Sequence, residues 1–379
     1  MLRLLTFIFI LLSLPGISPA RQHPDFTTLN ALLKEAVANQ KVAGLTLLLI
    51  HRGEPAYHNA FGYADLKTKT PFKKNAPVVI ASISKPLLGT AVFRLAQAEE
   101  LNLETPVSTY LPEFADLKLE SGQAASRAPT LTELLSHTAG IRASKAEGGR
   151  PWLASWTHGK SLAGVVTRYA REYPLRAQPG TRYAYSGIGT DIAARTAEAA
   201  ANQSRNELLI AQVAQPLGMS QTGYRNRDHL PNNMPQRYYL ADSGTLLPNR
   251  PRPIPPPDTY SSSGGSIIST AEDLARWLLV FRNQGLHEGQ PFFTKETLDA
   301  MLTPVPNSKN TACGFFARKV SEDGRALVIG HTGSTGTNCW IDFENDLIGI
   351  MLTQSSGENT KELRLRIEDH VTTLVTSSE

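Results

Sequence analysis

Strand-like runs lie at both ends of the chain, and a stretch of different texture separates them. Val42 to His51 reads as an apolar strand, Arg52-Gly53 as a turn, and Pro55 to Gly62 as a second strand. Near the other end, Gly314 to Val320, Ala326 to Gly330, Cys339 to Phe343 and Leu347 to Thr353 read as short strands joined by tight turns such as Glu322-Asp323-Gly324. A helix accompanies each set. Asp25 to Gln40 carries Leu29, Leu32, Leu33, Ala36 and Val37 on one side, and Thr360 to Val375 carries Leu363, Ile367 and Val371. Helix and strands at one end, strands and helix at the other, predict an α+β fold around one antiparallel sheet assembled from both termini.

The middle, from about Leu101 to Tyr260, is rich in alanine, with helical patterns at Leu131 to Ser136, Ser161 to Tyr173 and Gly189 to Ala201. Pro248 to Pro257 holds six prolines and reads as an extended connector or loop. No internal repeat is present. The expected organisation is an α/β lobe from 21–100 and 260–379 carrying a mainly helical insertion, 101–259, with a cleft between the two.

Composition sets limits on function. A chain of 379 residues that is 41% hydrophobic can bury a sizeable core, which excludes disorder. Its 38 basic and 34 acidic residues are interspersed, giving a net charge of +4 and no footprint for nucleic acid. Met1 to Ala20 reads as a secretory signal: Arg3 supplies the positive start, Leu4 to Leu14 is apolar except for Thr6 and Ser13, and Ser18-Pro19-Ala20 offers small residues for cleavage. Pro15 and Gly16 cut the apolar run short of the roughly 18 residues a permanent anchor needs. The expectation is therefore a secreted or periplasmic protein with no permanent membrane anchor, its domain running from 21 to 379. The only cysteines, Cys313 and Cys339, could be bonded or free in such a compartment. They cannot build a structural zinc site, and no His-Glu-x-x-His occurs.

Three short segments could carry chemistry. Ala81-Ser82-Ile83-Ser84-Lys85 opens a helical run continuing to about Gln97. Serine and lysine three apart share a helix face, so the amine can reach the hydroxyl and act as its base. Ser82 at a helix N-terminus also aims its backbone N–H where an oxyanion would develop. Alone this signal is weak, because Ser-x-x-Lys arises by chance about once in a chain this long. The second segment, Pro179 to Gly187, sets Tyr185 in a Gly-rich turn before a helix. The third is Gly330-His331-Thr332-Gly333-Ser334-Thr335-Gly336, whose glycines let a ligand approach the backbone and whose Ser334 N–H could be a second oxyanion donor.

In this order, Ser82-x-x-Lys85, Tyr185-Ser186 and His331-Thr332-Gly333 resemble the serine β-lactamase and penicillin-binding-protein superfamily, more closely the branch of class C β-lactamases, DD-carboxypeptidases and related esterases. Leu131 to Gly140 and Ser263 to Leu274 agree, and the resemblance extends from about Asp25 to Val375. It implies a β-lactamase/transpeptidase-like fold with Ser82 as the nucleophile of an acyl-enzyme and Lys85 and Tyr185 sharing the base role. The N–H groups of Ser82 and Ser334 would form the oxyanion hole, with Thr332 and His331 along the far wall. The implied substrate is a small ester, peptide or β-lactam, and no metal or cofactor is required. Oligomeric state is not implied.

Two positions depart from the family pattern. Many relatives have lysine where His331 stands; a histidine, with a reference pKa of about 6.5, is largely neutral at pH 7 and attracts substrate carboxylates less. Arg318, on the preceding strand, could supply a cation or could be a solvated surface residue. Gly187 stands where asparagine is common, and offers no amide to the acyl-amide of a β-lactam or peptide. These departures favour an esterase or peptidase over an efficient β-lactamase. A class C-like β-lactamase and a non-catalytic ligand sensor are the rival readings, the latter opposed by retention of Ser82, Lys85 and Tyr185.

Overall fold

The computed structural model describes residues 24–142, 160–226, 231–250, 256 and 259–377. The expected signal segment, Trp152, Trp156 and most of the Pro-rich stretch lie outside the described residues. Three strands come from the N-terminal part: β1 (Gly44–His51), β2 (Glu54–Asp65) and β3 (Thr70–Pro71). Five come from the C-terminal part: β4 (Thr311–Ala312), β5 (Phe315–Val320), β6 (Ala326–Thr332), β7 (Asn338–Asp342) and β8 (Leu347–Thr353). They form one eight-stranded sheet in the order β4-β5-β6-β7-β8-β1-β2-β3. The two halves meet where β1 pairs antiparallel with β8, from Leu45↔Thr353 to His51↔Leu347. This is the predicted α+β, β-lactamase-like sheet built from both ends of the chain.

Burial on both faces explains why β1 reads as a continuous apolar run instead of alternating. On one face, Leu45, Leu47, Leu49, Trp340 and Met351 pack against α1 (Thr27–Ala38) and the closing helix, through Leu29, Leu33, Leu363, Ile367 and Val371. The other face, with Leu48, Ile50, Ile329, Ile348 and Ile350, joins the larger core around α2 (Ser84–Gln97). Trp277 is fully buried there. Its indole N–H donates to Thr90 Oγ1 at 3.0 Å, and its ring stacks on Phe315 at 5.2 Å.

The middle of the chain contains α3 (Leu131–Leu135), α4 (Leu162–Glu172), α5 (Gly187–Ala201) and α6 (Arg205–Leu209). Helix α5 starts two residues earlier than the pattern suggested, because Ser186 serves as N-cap and accepts the Gly189 N–H at 3.1 Å. This region also contributes strands. Tyr238–Leu240 pairs with Leu246–Pro248 and runs parallel to Ser355–Ser356, while Gly223–Tyr224 joins Ile267–Ser269 and Val78–Val79 in a three-stranded sheet. Tyr238 is buried and its phenol oxygen accepts the Leu66 N–H at 2.8 Å, a structural task. Helices α7 (Ala271–Arg282) and α8 (Lys295–Leu302) lead into the C-terminal strands, and α9 (Glu358–Thr376) closes the chain. Cys313 and Cys339 are buried free thiols, so the bonded alternative is not realised. Among the described residues no helix is long and apolar enough to cross a membrane.

Ile367 lies fully buried between α9 and the sheet. Ile367→Ala should lower the unfolding free energy by about 2–5 kcal/mol, read from urea midpoints. A loss below about 1 kcal/mol would mean that α9 does not seal this face.

Candidate active site

Ser82 sits in a 3-10 turn, Ala81–Ile83, that feeds directly into α2. Ala81 before it takes a left-handed φ of +50°, a conformation that costs a non-glycine residue of order 1–3 kcal/mol and persists only where surroundings enforce it. Those surroundings are two backbone segments. On one side, Ile80 N–H donates to Ile267 O at 3.0 Å, and Ser84 Oγ accepts the Ile267 N–H at 3.2 Å. On the other, the turn after β6 is fastened down: Thr335 Oγ1 donates to Val79 O and Thr337 Oγ1 to Ile80 O, each at 2.9 Å. Gly333 approaches so closely that a Cβ there would lie 2.6 Å from Ile80 O and 2.0 Å from Thr337 Oγ1. Only glycine fits. The predicted Thr332-Gly333-Ser334 stretch is thereby held against the residues that precede Ser82, with Thr332 half-buried and Ser334 exposed.

Lys85, one helical turn beyond Ser82, is only 4% exposed. Its Nζ lies 3.2 Å from Ser82 Oγ and 2.8 Å from Gly264 O, and 4.8 Å from the centroid of the Tyr185 ring. Gly264 can approach because it has no side chain; a Cβ there would be 2.9 Å from Nζ. A flexible four-carbon stem is thus fixed at its tip, and the amine is aimed at a hydroxyl whose proton it could accept. Tyr185 precedes the N-cap of α5, so the helix start sets its position.

Two buried histidines flank Tyr185. His137 lies 4.5 Å from its ring and His331 lies 6.3 Å away, measured between centroids. His137 Nδ1 accepts the Ser186 N–H at 3.3 Å, which assigns its proton to Nε2. His331 Nδ1 faces Thr332 O at 2.7 Å and must donate, which leaves its Nε2 as a bare acceptor. Neither Nε2 has a hydrogen-bond partner among the described residues. Burial, reinforced by Lys85, pushes His137 well below the usual imidazole range. Burial first, then Lys85 and Arg318, brings His331 down to about 3. Both rings are therefore neutral at pH 7, as expected for His331 and more strongly than its reference value implied.

Arg318 is not brought to this group as a free cation. Its guanidinium ion-pairs with Glu368 on α9 and donates to Asn338 Oδ1 at 3.1 Å. The neighbouring carboxylate answers its charge. Two contributors escaped the sequence reading. Phe316 is half-buried, with its ring 4.9 Å from His331 and 6.2 Å from Tyr185, adding an apolar wall. Arg364, on α9, donates from Nη1 to Gly333 O and Thr337 O, both at 3.3 Å, and so supports the turn from beneath. No local sequence pattern marks either residue, since each acts through a tertiary contact. Gly187 is the first residue of α5 and brings no side chain.

Comparison with known proteins bears on the family and the fold. The family model described as Beta-lactamase matches residues 29–373. Esterase EstB of Burkholderia gladioli is 27% identical over 296 residues, covering 71% of this chain and 72% of its own length. Among solved structures, EstCE1, a hydrolase with promiscuous acyltransferase activity, superposes with a TM-score of 0.75 at 22% identity, covering 90% of this chain and 96% of that one. The penicillin binding protein from Bacillus halodurans gives 0.70 at 21% identity, covering 89% and 98%.

Neutral burial of His331 has a consequence for acid stability. The unfolded ring binds a proton below about 6.5, while the folded ring refuses one until about 3. Its contribution is complete above pH 6.5 and is lost as pH falls towards 3. His331→Gln should flatten the decline of urea midpoints between about pH 6.5 and 4. An unchanged slope would contradict a neutral buried ring.

Proposed function

The chain belongs to the beta-lactamase family, and from that premise we propose that it is a serine hydrolase acting on small esters through an acyl-enzyme on Ser82. The observation that carries the reading is the buried Lys85 amine, 3.2 Å from Ser82 Oγ and anchored by Gly264 O. Ser82 Oγ attacks the ester carbonyl while its proton passes to the Lys85–Tyr185 pair. The oxyanion is taken by the N–H groups of Ser82 and Ser334, and the proton leaves with the departing alcohol. Water then repeats the sequence on the acyl-enzyme, releasing the acid and restoring Ser82.

Three features support an ester over a peptide or β-lactam. His331 is uncharged in the neutral range, so the wall where relatives carry lysine offers no permanent cation to a substrate carboxylate. Gly187 offers no amide to an acyl-amide. Phe316 gives the same wall an apolar surface. The similar proteins named as an esterase and an acyl-transferring hydrolase fit this preference. A DD-peptidase-like activity on peptidoglycan-type peptides is the second reading, supported by the retained Ser82–Lys85 contact and the likeness to a penicillin binding protein. The composition of Met1 to Ala20 supports action outside the cytoplasm.

Intact mass spectrometry of the protein mixed with a p-nitrophenyl ester or a fluorescent penicillin tests the nucleophile. The expected result is an acyl adduct that Ser82→Ala abolishes, formed and released rapidly with the ester. An adduct that survives Ser82→Ala would overturn the assignment, and a long-lived penicillin adduct without ester turnover would favour the peptidase. In a separate test, Gly187→Asn should raise the rate of penicillin acylation about tenfold, the worth of one hydrogen bond. No gain would remove Gly187 from the explanation of substrate preference.

A further inference from the structure

Asp191 lies on α5, about one turn into the helix that presents Tyr185 at its start, and is 1% exposed. No step of the proposed reaction uses it. Its Oδ2 accepts the Tyr260 O–H at 2.7 Å and its Oδ1 accepts the Ser263 N–H at 2.6 Å. From α6, Arg205 donates through Nη1 to Ser261 O and, at 2.6 Å, to Ser263 Oγ, and through Nη2 to Ser261 Oγ at 2.9 Å. The same guanidinium lies 4.7 Å from the centre of the Tyr224 ring, whose O–H donates to Ser263 O at 3.0 Å. Every polar group of Ser263 is therefore held: its N–H by Asp191, its carbonyl by Tyr224, its hydroxyl by Arg205. The next residue is Gly264, whose carbonyl accepts from Lys85.

We infer that Asp191 is a positioning residue for the reaction: with Arg205 and Tyr260 it fixes the Tyr260–Gly264 backbone so that the Gly264 carbonyl holds the Lys85 amine against Ser82. The inference rests on the reading of Lys85 as the base toward Ser82. Lysine has a long stem and three equivalent donors, and without a fixed acceptor the amine would sample several rotamers. A peptide carbonyl can direct it only if the peptide itself cannot turn: the Gly264–Gly265 peptide is held by the Gly265 N–H, which donates to Ser262 O at 3.2 Å, and the three bonds to Ser263 fix the turn between them. Burial drives the Asp191 carboxyl upward while the Tyr260 and Ser263 hydrogen bonds and Arg205 pull it down. Burying a carboxylate without such partners is costly, and these partners all belong to, or grip, the one segment that reaches Lys85. Helix α5 thereby acts on the Lys85 amine twice: through the 260s segment, and through Tyr185 before its N-terminus, whose ring centroid lies 4.8 Å from Nζ.

The test is a double-mutant cycle on acylation, followed as the burst of p-nitrophenol from p-nitrophenyl butyrate, with thermal unfolding recorded for every variant. Asp191→Asn should slow acylation about tenfold to a hundredfold while KM stays within about twofold, because a misdirected base harms the chemical step more than binding. In a Lys85→Ala background the same substitution should change the rate by less than about twofold. An equal factor in both backgrounds, or no effect in the native background, would overturn the inference. If Asp191→Asn does not fold, Tyr260→Phe, which removes one bond to the carboxylate and keeps the ring, takes its place under the same criteria. Failure of the underlying reading is separate: Lys85→Ala acylating at the native rate would remove Lys85 as the base whatever Asp191 does.

Discussion

An amine taken out of water must find acceptors within the protein, and much of this structure exists around that requirement at Lys85. Its Nζ meets one hydroxyl and one carbonyl, each supplied by a different part of the chain. The hydroxyl comes with a strained Ala81 that two flanking segments keep in place. The carbonyl belongs to a glycine because no other residue could come so near. The histidines beyond Tyr185 remain uncharged chiefly because they are buried, and the nearby Lys85 reinforces this. One desolvated group thus determines the residue type at Gly264 and reinforces the neutrality of His137 and His331.

The turn after β6 is the other half of the site, and its construction is mechanical. Side-chain hydroxyls of Thr335 and Thr337 reach back to the two carbonyls before Ala81, and Arg364 closes the turn from α9. The loop that carries Ser334 and the one that carries Ser82 are therefore fastened directly to each other. Preorganised donors need this, because a hydrogen bond gained only after rearrangement contributes little to a transition state.

Much of this was legible before any coordinates. The sheet from both termini follows from apolar runs of strand length at each end, and the Ser82, Lys85, Tyr185 and His331-Thr332-Gly333 segments stand out by order and spacing. Element edges were less certain: α5 begins at Gly187 because Ser186 caps it, a choice between neighbouring polar residues that periodicity does not make. Arg318 illustrates a different limit. Its strand position was evident, but its partner Glu368 lies on another element, and no one-dimensional pattern pairs them. Asp191, Arg205 and Arg364 were invisible for the same reason, as single charged residues in ordinary helices whose meaning depends on what lies opposite.

The join between β1 and β8 bears on how the chain reaches this state. Thr353 Oγ1 donates to Gly44 O across 309 residues of sequence, and every rung of that ladder is comparably remote. Synthesis proceeds from the N-terminus, so β1 emerges long before its neighbour exists, with an apolar edge and two uncovered faces. Contacts of such separation close slowly, and a nascent chain of this kind cannot complete its core cotranslationally. Until that last strand is available, both faces and one edge of β1 lack the neighbours that cover them in the finished sheet.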